Sequence, residues 1–222
     1  MASQPMDERN EAMKTLIAIP CMDTVPTDFF TSFTDMEKDG AKYIICKNTL
    51  IYDARNRLAA HAIENDFDAV LWLDSDMTVP NDVLRRFKAH LEQGKDYIAG
   101  LCFSRRMPPN PVIYSNLQWQ SEDGKILSKA TPYLDYPKDQ VFEIAASGFG
   151  CVMTSVKLLK EVWQKFGAPF LPLLGLGEDM AFCLRCINVG VKMYCDSSVK
   201  CGHVGYYEFN ESLYENVVSK NV

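Results

Sequence analysis

Five consecutive apolar residues, Ala69-Val70-Leu71-Trp72-Leu73, run without interruption into the acidic triplet Asp74-Ser75-Asp76. An apolar run this short, with no polar alternation, predicts a strand buried on both faces, which occurs in a parallel sheet covered by helices. Ligands of open α/β sheets bind at the C-terminal edge of such strands. Two carboxylates delivered together at that edge repel each other, so something positive is expected beside them. A divalent cation with oxygen ligands, Mg²⁺ or Mn²⁺, would answer this; a solvated turn would also do so.

The rest of the chain supplies the remainder of an α/β pattern. Thr15 to Ile19 is a second apolar run, stopped by Pro20, and Tyr97 to Cys102 is a third, followed by Ser104-Arg105-Arg106. From Leu50 to Glu64 the apolar residues Ile51, Ala54, Leu58, Ala59, Ala62 and Ile63 fall close to one helical face, with Arg55 and Arg57 near its first turns. Pro80 and Asn81 open a helix to about Leu91. Val112 to Tyr114 and Ile126-Leu127 read as short strands around a turn at Asp123-Gly124. Val141 to Ala146, the turn Ser147-Gly148-Phe149-Gly150 and Cys151 to Met153 precede a helix from Ser155 to Phe166. Gly177-Glu178-Asp179 leads a helix from Met180 to Asn188, with extended segments at Val191 to Cys195 and Val199 to His203. Strands alternating with helices predict an α/β/α sandwich with a central mixed, mainly parallel sheet.

A chain of 222 residues, 47% apolar, can bury one substantial core, and no repeat divides it. The expected layout is a polar, flexible N-terminal segment over residues 1–14, one domain over 15–205 and a tail over 206–222 that acts as a lid or docks on its own domain. The 23 Lys+Arg against 29 Asp+Glu give a net charge of -6, the reverse of the footprint for nucleic-acid backbones. No stretch approaches the roughly 18 to 20 apolar residues of a membrane span. The polar start of the chain carries no signal-peptide pattern, so a soluble cytoplasmic protein with reduced cysteines is expected.

Glu178 and Asp179 at a helix N-terminus suit the macrodipole, which explains them as capping residues, while a carboxylate at a cleft mouth can also serve as a general base. His203, between Gly202 and Gly205, is a candidate ligand with a plain surface or core role as its alternative. Cys183, Cys186, Cys195 and Cys201 form C-x2-C-x8-C-x5-C, which would suit a zinc-stabilised binding module; helical core packing of the first pair is the competing explanation.

Taken in order, Ala54-Arg55-Asn56-Arg57, Asp74-Ser75-Asp76, Ser147-Gly148-Phe149-Gly150, Gly177-Glu178-Asp179 and His203 resemble the glycosyltransferases of the GT-A fold, in particular the family 2-like group. The resemblance spans about Thr15 to Gly205. It implies that Pro20 and Cys21 border the base of a nucleotide-sugar donor, with a UDP-sugar preferred, and that Arg55 and Asn56 face the nucleotide or diphosphate. It further implies Asp76 as the main ligand of Mn²⁺ or Mg²⁺, Asp74 on the ribose or metal with Ser75 between, and His203 completing the metal or diphosphate contacts. Asp179 would be the base of an inverting transfer, Glu178 an orienting group, and Ser147, Gly148 and Phe149 would lie close to sugar and acceptor. Arg105 is a candidate contact for an anionic acceptor or the diphosphate. No Q-x-x-R-W-type processive signature is present, which disfavours polysaccharide synthesis. A sugar nucleotidyltransferase is a weaker rival, because Pro20-Cys21-Met22-Asp23 lacks the glycines and lysine of a triphosphate cradle. A glycan, a lipid-linked sugar, a protein side chain or a modified nucleobase each presents a suitable acceptor hydroxyl.

Overall fold

The computed structural model describes residues 12–122 and 125–218. In chain order its first half runs β1 (Thr15–Cys21), α1 (Thr27–Asp35), β2 (Lys42–Lys47), α2 (Ile51–Glu64), β3 (Ala69–Leu73), β4 (Met77–Thr78), α3 (Val83–Glu92) and β5 (Tyr97–Leu101). Its second half runs β6 (Ile113–Glu122), β7 (Lys125–Pro132), β8 (Val141–Ile144), β9 (Ala146–Ser147), β10 (Cys151–Ser155), α4 (Val156–Phe166), α5 (Glu178–Asn188), β11 (Met193–Lys200), β12 (Gly202–His203) and α6 (Glu211–Val218).

The three apolar runs, β1, β3 and β5, are buried at every residue. They are inner strands of a seven-stranded sheet ordered β2-β1-β3-β10-β5-β11-β8. Five of the seven strands run in one direction; β10 and β8 run against them. Because side chains alternate across a strand, Leu16, Ala18, Val70 and Trp72 enter one core with Leu58 and Ala62 of α2, Leu159 and Val162 of α4 and Phe182 of α5. Ile17, Ile19, Leu71 and Leu73 enter the other with Phe29 of α1 and Leu84 and Phe87 of α3. The expected α/β/α sandwich with its mixed, mainly parallel sheet is therefore present. The one polar atom of the Trp72 ring does not go unpaired in this core: its indole N–H donates to Thr154 Oγ1 at 3.0 Å.

Three features differ from the sequence reading. α1 and β2 were not anticipated; β2 is an edge strand, mostly exposed, in which the apolar run Tyr43-Ile44-Ile45-Cys46 is flanked by two lysines. The short strands at Ile113 and Ile126 belong to one long antiparallel hairpin, β6 against β7, flanked by β9; the turn at Asp123-Gly124 lies outside the described residues, as do residues 1–11. Lys14 is tied down, its backbone N–H donating to Asp68 Oδ2 at 2.7 Å.

Residues 206–218 of the tail dock on their own domain; residues 219–222 lie outside the described residues. Glu211, buried at the start of α6, accepts from Lys138 Nζ at 2.8 Å, Lys200 Nζ at 2.6 Å and the Tyr136 hydroxyl at 2.9 Å. Burial raises the Glu211 carboxyl, but the bonds from the two lysines and Tyr136 outweigh it and hold the group below its ordinary value. Tyr214 packs against Phe103 with ring centroids 5.4 Å apart. Truncation after Gly205 should therefore cost about 3 kcal/mol, from the lost ion-pair cluster and the buried Phe209 and Tyr214 rings. Calorimetric melting should show a fall of roughly 6 to 12 °C; an unchanged melting temperature would return the tail to the role of a lid. Among the described residues no helix is long and apolar enough to cross a membrane.

Candidate active site

The site assembles where β3 ends. The Asp74 backbone N–H donates to the Gly150 carbonyl at 3.0 Å, and Met77 N–H turns back to the Asp74 carbonyl at 3.2 Å. This turn presents Asp74, Ser75 and Asp76 at the sheet edge. β4 then pairs antiparallel with β12, putting Met77 opposite His203, and the Val204 N–H donates to the Asp76 carbonyl at 2.7 Å. The two short strands so bring together Asp76 and His203, 127 residues apart, with Nε2 3.3 Å from Asp76 Oδ2. A Cβ at Gly202 would collide with the Glu208 carboxylate and the Thr78 hydroxyl, so a larger residue there would have to push both side chains aside.

His203 Nδ1 lies 2.9 Å from the Phe103 carbonyl oxygen. A carbonyl can only accept, so Nδ1 carries a hydrogen; the Asp76 carboxylate is an acceptor too, so the Nε2 contact is a hydrogen bond only where Nε2 also carries one. Arg105 Nη1 approaches the same Asp76 oxygen at 3.1 Å. Pro20, Cys21, Met22, Thr49, Ile51, Ala54, Asp74, Ser75, Asp76, Arg105 and His203 line one cleft of about 290 Å³. Pro20, Cys21, Asp74, Ser75, Asp76, Arg105 and His203 thus stand together, as the sequence suggested, whereas Glu178 and Asp179 do not line this cleft.

The paired carboxylates are driven apart electrostatically. Burial pushes Asp74 above its ordinary value against the pull of Arg55, and the charges of Asp76 and Glu178 add to the rise. Burial also raises Asp76, but the hydrogen bond and charge of His203 and the charge of Arg105 outweigh it, and the carboxyl sits below its ordinary value. Across the site, Asp179 is pushed up to about 6, first by desolvation and then by the charge of Glu178. Its Oδ1 accepts from the Met180 N–H at 2.7 Å, so α5 holds the carboxylate at its own N-terminus.

Arg55 joins the two halves of the site. It is 2% exposed, donates from Nη2 to Asp74 Oδ1 at 2.9 Å and places Nε 3.5 Å from Glu178 Oε1. Its guanidinium lies 5.1 Å from the Phe149 ring centroid, a cation–π contact in a dry setting. This corrects the expectation that Arg55 faces the nucleotide: it lies behind Asp74 and does not line the cleft. Asn56 is likewise turned away, its Oδ1 accepting from the Phe170 N–H at 2.9 Å, which ties α2 to the loop before α5.

The Ser147-Gly148-Phe149 turn is also structural for the most part. Ser147 is buried with its hydroxyl 2.7 Å from the Tyr97 hydroxyl, and Phe149 packs among Trp72, Tyr97, Phe170 and Phe182. Neither can touch a sugar in this arrangement. Gly148 does reach the site: a Cβ there would stand 3.7 Å from Asp179 Oδ2 but only 2.7 Å from Val112 Cγ1, so the close packing of Val112 requires the glycine.

The four-cysteine zinc reading fails on topology. Cys183, Cys186 and Cys195 are in the core on one face of the sheet and Cys201 is in the core on the other, and burial pushes the Cys183 thiol up to about 12, far from the thiolate that zinc needs. Met22, Thr49 and Ile51 of the cleft wall escaped the sequence reading because none carries a charge or belongs to a motif. Tyr114, raised by burial and by the charge of Asp179, also escaped it; no spacing marks it.

Among the described residues no three His, Cys, Asp or Glu side chains form a group that could hold a metal ion by themselves. The pair Asp76 and His203 nevertheless fits a Mn²⁺ or Mg²⁺ ion of the substrate-sharing kind. Its 3.3 Å separation suits adjacent ligands of an octahedral ion, about 3 Å apart for bonds near 2.1 Å, and such ions take only one or two protein ligands with substrate phosphates. The Phe103 carbonyl holds Nδ1–H, so Nε2 is the nitrogen that would ligate once it has given up its hydrogen to solvent.

No protein-family model and no curated protein matches this chain. Among solved structures, the crystal structure of A197 from STIV superposes with a TM-score of 0.64 over 87% of this chain and 86% of that one, at 19% identity. At that identity the likeness establishes a common α/β fold.

Proposed function

We propose that this protein is a metal-dependent glycosyltransferase of the GT-A type, moving one sugar from a nucleotide-sugar donor, with a UDP-sugar preferred, to an acceptor hydroxyl with inversion. The observation that carries the reading is the pairing of Asp76 and His203, 3.3 Å apart at the sheet edge, with Asp179 joined to the same cleft through Glu178, Arg55 and Asp74.

Asp76 and His203 would hold Mn²⁺ or Mg²⁺, and the ion would stabilise charge on the diphosphate leaving group. Pro20 and Cys21 border the cleft where a base would lie, and Thr49 adds a hydroxyl. Arg55 fixes Asp74 and Glu178 without reaching the ligand. Asp179 takes the proton of the acceptor hydroxyl as its oxygen bonds to the anomeric carbon; the bond from that carbon to the diphosphate breaks, and the nucleoside diphosphate leaves with the electron pair. A diphosphate needs no protonation to depart, so one carboxylate suffices, and a single displacement inverts the centre. All eight cysteines are free thiols, which supports a reducing, cytoplasmic setting.

Calorimetric titration with UDP and with GDP, each with Mn²⁺ and with EDTA, tests this reading. One nucleotide should bind at micromolar concentration in the presence of Mn²⁺ and lose most of that affinity in EDTA. Asp76→Ala should bind the nucleotide equally weakly with and without Mn²⁺, at least tenfold below the native protein. A folded native protein that binds neither nucleotide removes the proposal.

A further inference from the structure

The carboxylate best placed for a cation already has one. Arg105 Nη1 lies 3.1 Å from Asp76 Oδ2, the same oxygen that faces His203 Nε2 at 3.3 Å. A guanidinium and a divalent ion compete for such an oxygen through both space and like charge. The head of Arg105 is free to leave, because its side chain is 49% exposed.

Its reach, however, is limited. The Gly205 backbone sits so close that a Cβ there would stand 3.2 Å from Arg105 Cδ. Arg105 Nη1 also donates to the Val204 carbonyl at 3.3 Å, and Val204 is itself held to the Asp76 backbone at 2.7 Å. At its base the Arg105 loop is closed by Ser104 N–H to the Asn110 carbonyl at 2.8 Å and Asn110 N–H to Ser104 Oγ at 3.1 Å. A guanidinium released from Asp76 therefore stays at the wall of the same cleft, beside His203 and Ser75.

We infer that Arg105 is the resident counterion of the cation site: a divalent cation displaces it from Asp76, and the freed guanidinium then closes on the phosphates of the bound nucleotide. The inference rests on the metal-dependent nucleotide binding proposed above. It answers the repulsion within the acidic triplet, since Arg55 pairs with Asp74 and Arg105 pairs with Asp76 when no cation is present. It also gives Arg105 two roles of opposite sign. Without nucleotide it competes with the metal; with nucleotide it works alongside the metal, since a guanidinium pairs bidentately with phosphate oxygens.

Two titrations of Arg105→Ala separate these roles. In the first, Mn²⁺ alone is added to millimolar concentration and binding is followed by loss of the free-ion paramagnetic resonance signal; the variant should bind two- to fivefold tighter than the native protein, as removal of a half-exposed ion pair predicts. In the second, UDP or GDP is titrated at saturating Mn²⁺, and the variant should bind about tenfold more weakly. Arg106→Ala, which removes the same charge one residue away, should change neither, and melting temperatures show that each variant is folded. Equal Mn²⁺ affinity in native and variant protein, or no Mn²⁺ binding by either, overturns the counterion role while leaving metal-assisted nucleotide binding by the native protein intact. Nucleotide binding that persists in EDTA and is lost in Arg105→Ala overturns the exchange in another way, with the guanidinium in permanent place of the metal. A native protein that binds neither Mn²⁺ nor nucleotide overturns the proposed function together with this inference.

Discussion

Asp179→Asn should retain metal-assisted nucleotide binding and lose about 10²- to 10⁴-fold in the rate of sugar transfer, the usual contribution of a positioned general base. The substitution keeps the shape of the side chain and an oxygen to accept the Met180 N–H, so α5 stays capped while the proton acceptor is gone. The native protein should also show an acid limb in its pH–rate profile. Asp179 works only when ionised, and desolvation with the nearby charge of Glu178 pushes its carboxyl up to about 6. The rate should therefore be level above that value and fall about tenfold per pH unit below it. Initial rates of nucleoside diphosphate release, measured from pH 4.5 to 8.5 with one donor and one active acceptor, check both statements. An Asp179→Asn variant as active as the native protein sinks the assignment of the base.

Arg55→Met should lower stability by about 2 to 3 kcal/mol at neutral pH, below the range for a wholly buried pair because Asp74 is partly exposed at the cleft. The guanidinium stands between Asp74 and Glu178, and two of its nitrogens have no hydrogen-bond partner. Its hold on Glu178 is thus mainly one of charge, and removal leaves two carboxylates facing each other beside Asp179. For a chain of this size the melting temperature should fall by roughly 4 to 12 °C. The sign of the pH effect follows from which form suffers: the repulsion exists only between ionised carboxylates, so the deficit should be full near pH 7.5 and shrink as acid protonates them. Thermal melts of native and variant protein at pH 7.5 and pH 5 test this. Equal melting temperatures at pH 7.5 would mean that Arg55 is dispensable to the site.

The elements that could be read from the residues are those whose burial is uniform or strictly periodic. β1 and β3 are buried on both faces, so each shows a continuous apolar run whatever lies around it. α2 and α4 bury one stripe, and the start of α4 is marked by Ser155, whose hydroxyl accepts from the Leu158 N–H at 3.0 Å. β2 breaks the link between run and burial: its apolar run Tyr43-Ile44-Ile45-Cys46 lies at the sheet edge, with Tyr43 and Ile45 exposed. β4 and β12 have two residues each, too few for any period, and yet their pairing brings His203 to Asp76.

The chemistry divides along the same line. That two carboxylates would emerge at the C-terminal end of a buried strand, and two more at a helix N-terminus, follows from local pattern, since hydrophobic run length and macrodipole preference act over a few residues. Which partner each carboxylate meets is a matter of long-range packing. Arg55 lies within the helix that covers the sheet, so the fold buries it behind Asp74 instead of offering it to a ligand, and Phe149 goes into the aromatic core with Trp72 and Phe182 for the same reason. Arg105, on a loop 29 residues away, and His203, on a strand 127 residues away, reach one oxygen of Asp76. The residue sequence by itself determined the layers, the sheet edge and the acidic groups it presents; only the tertiary structure decided which cations face them, because charge pairing acts through distances that the chain sets after it has folded.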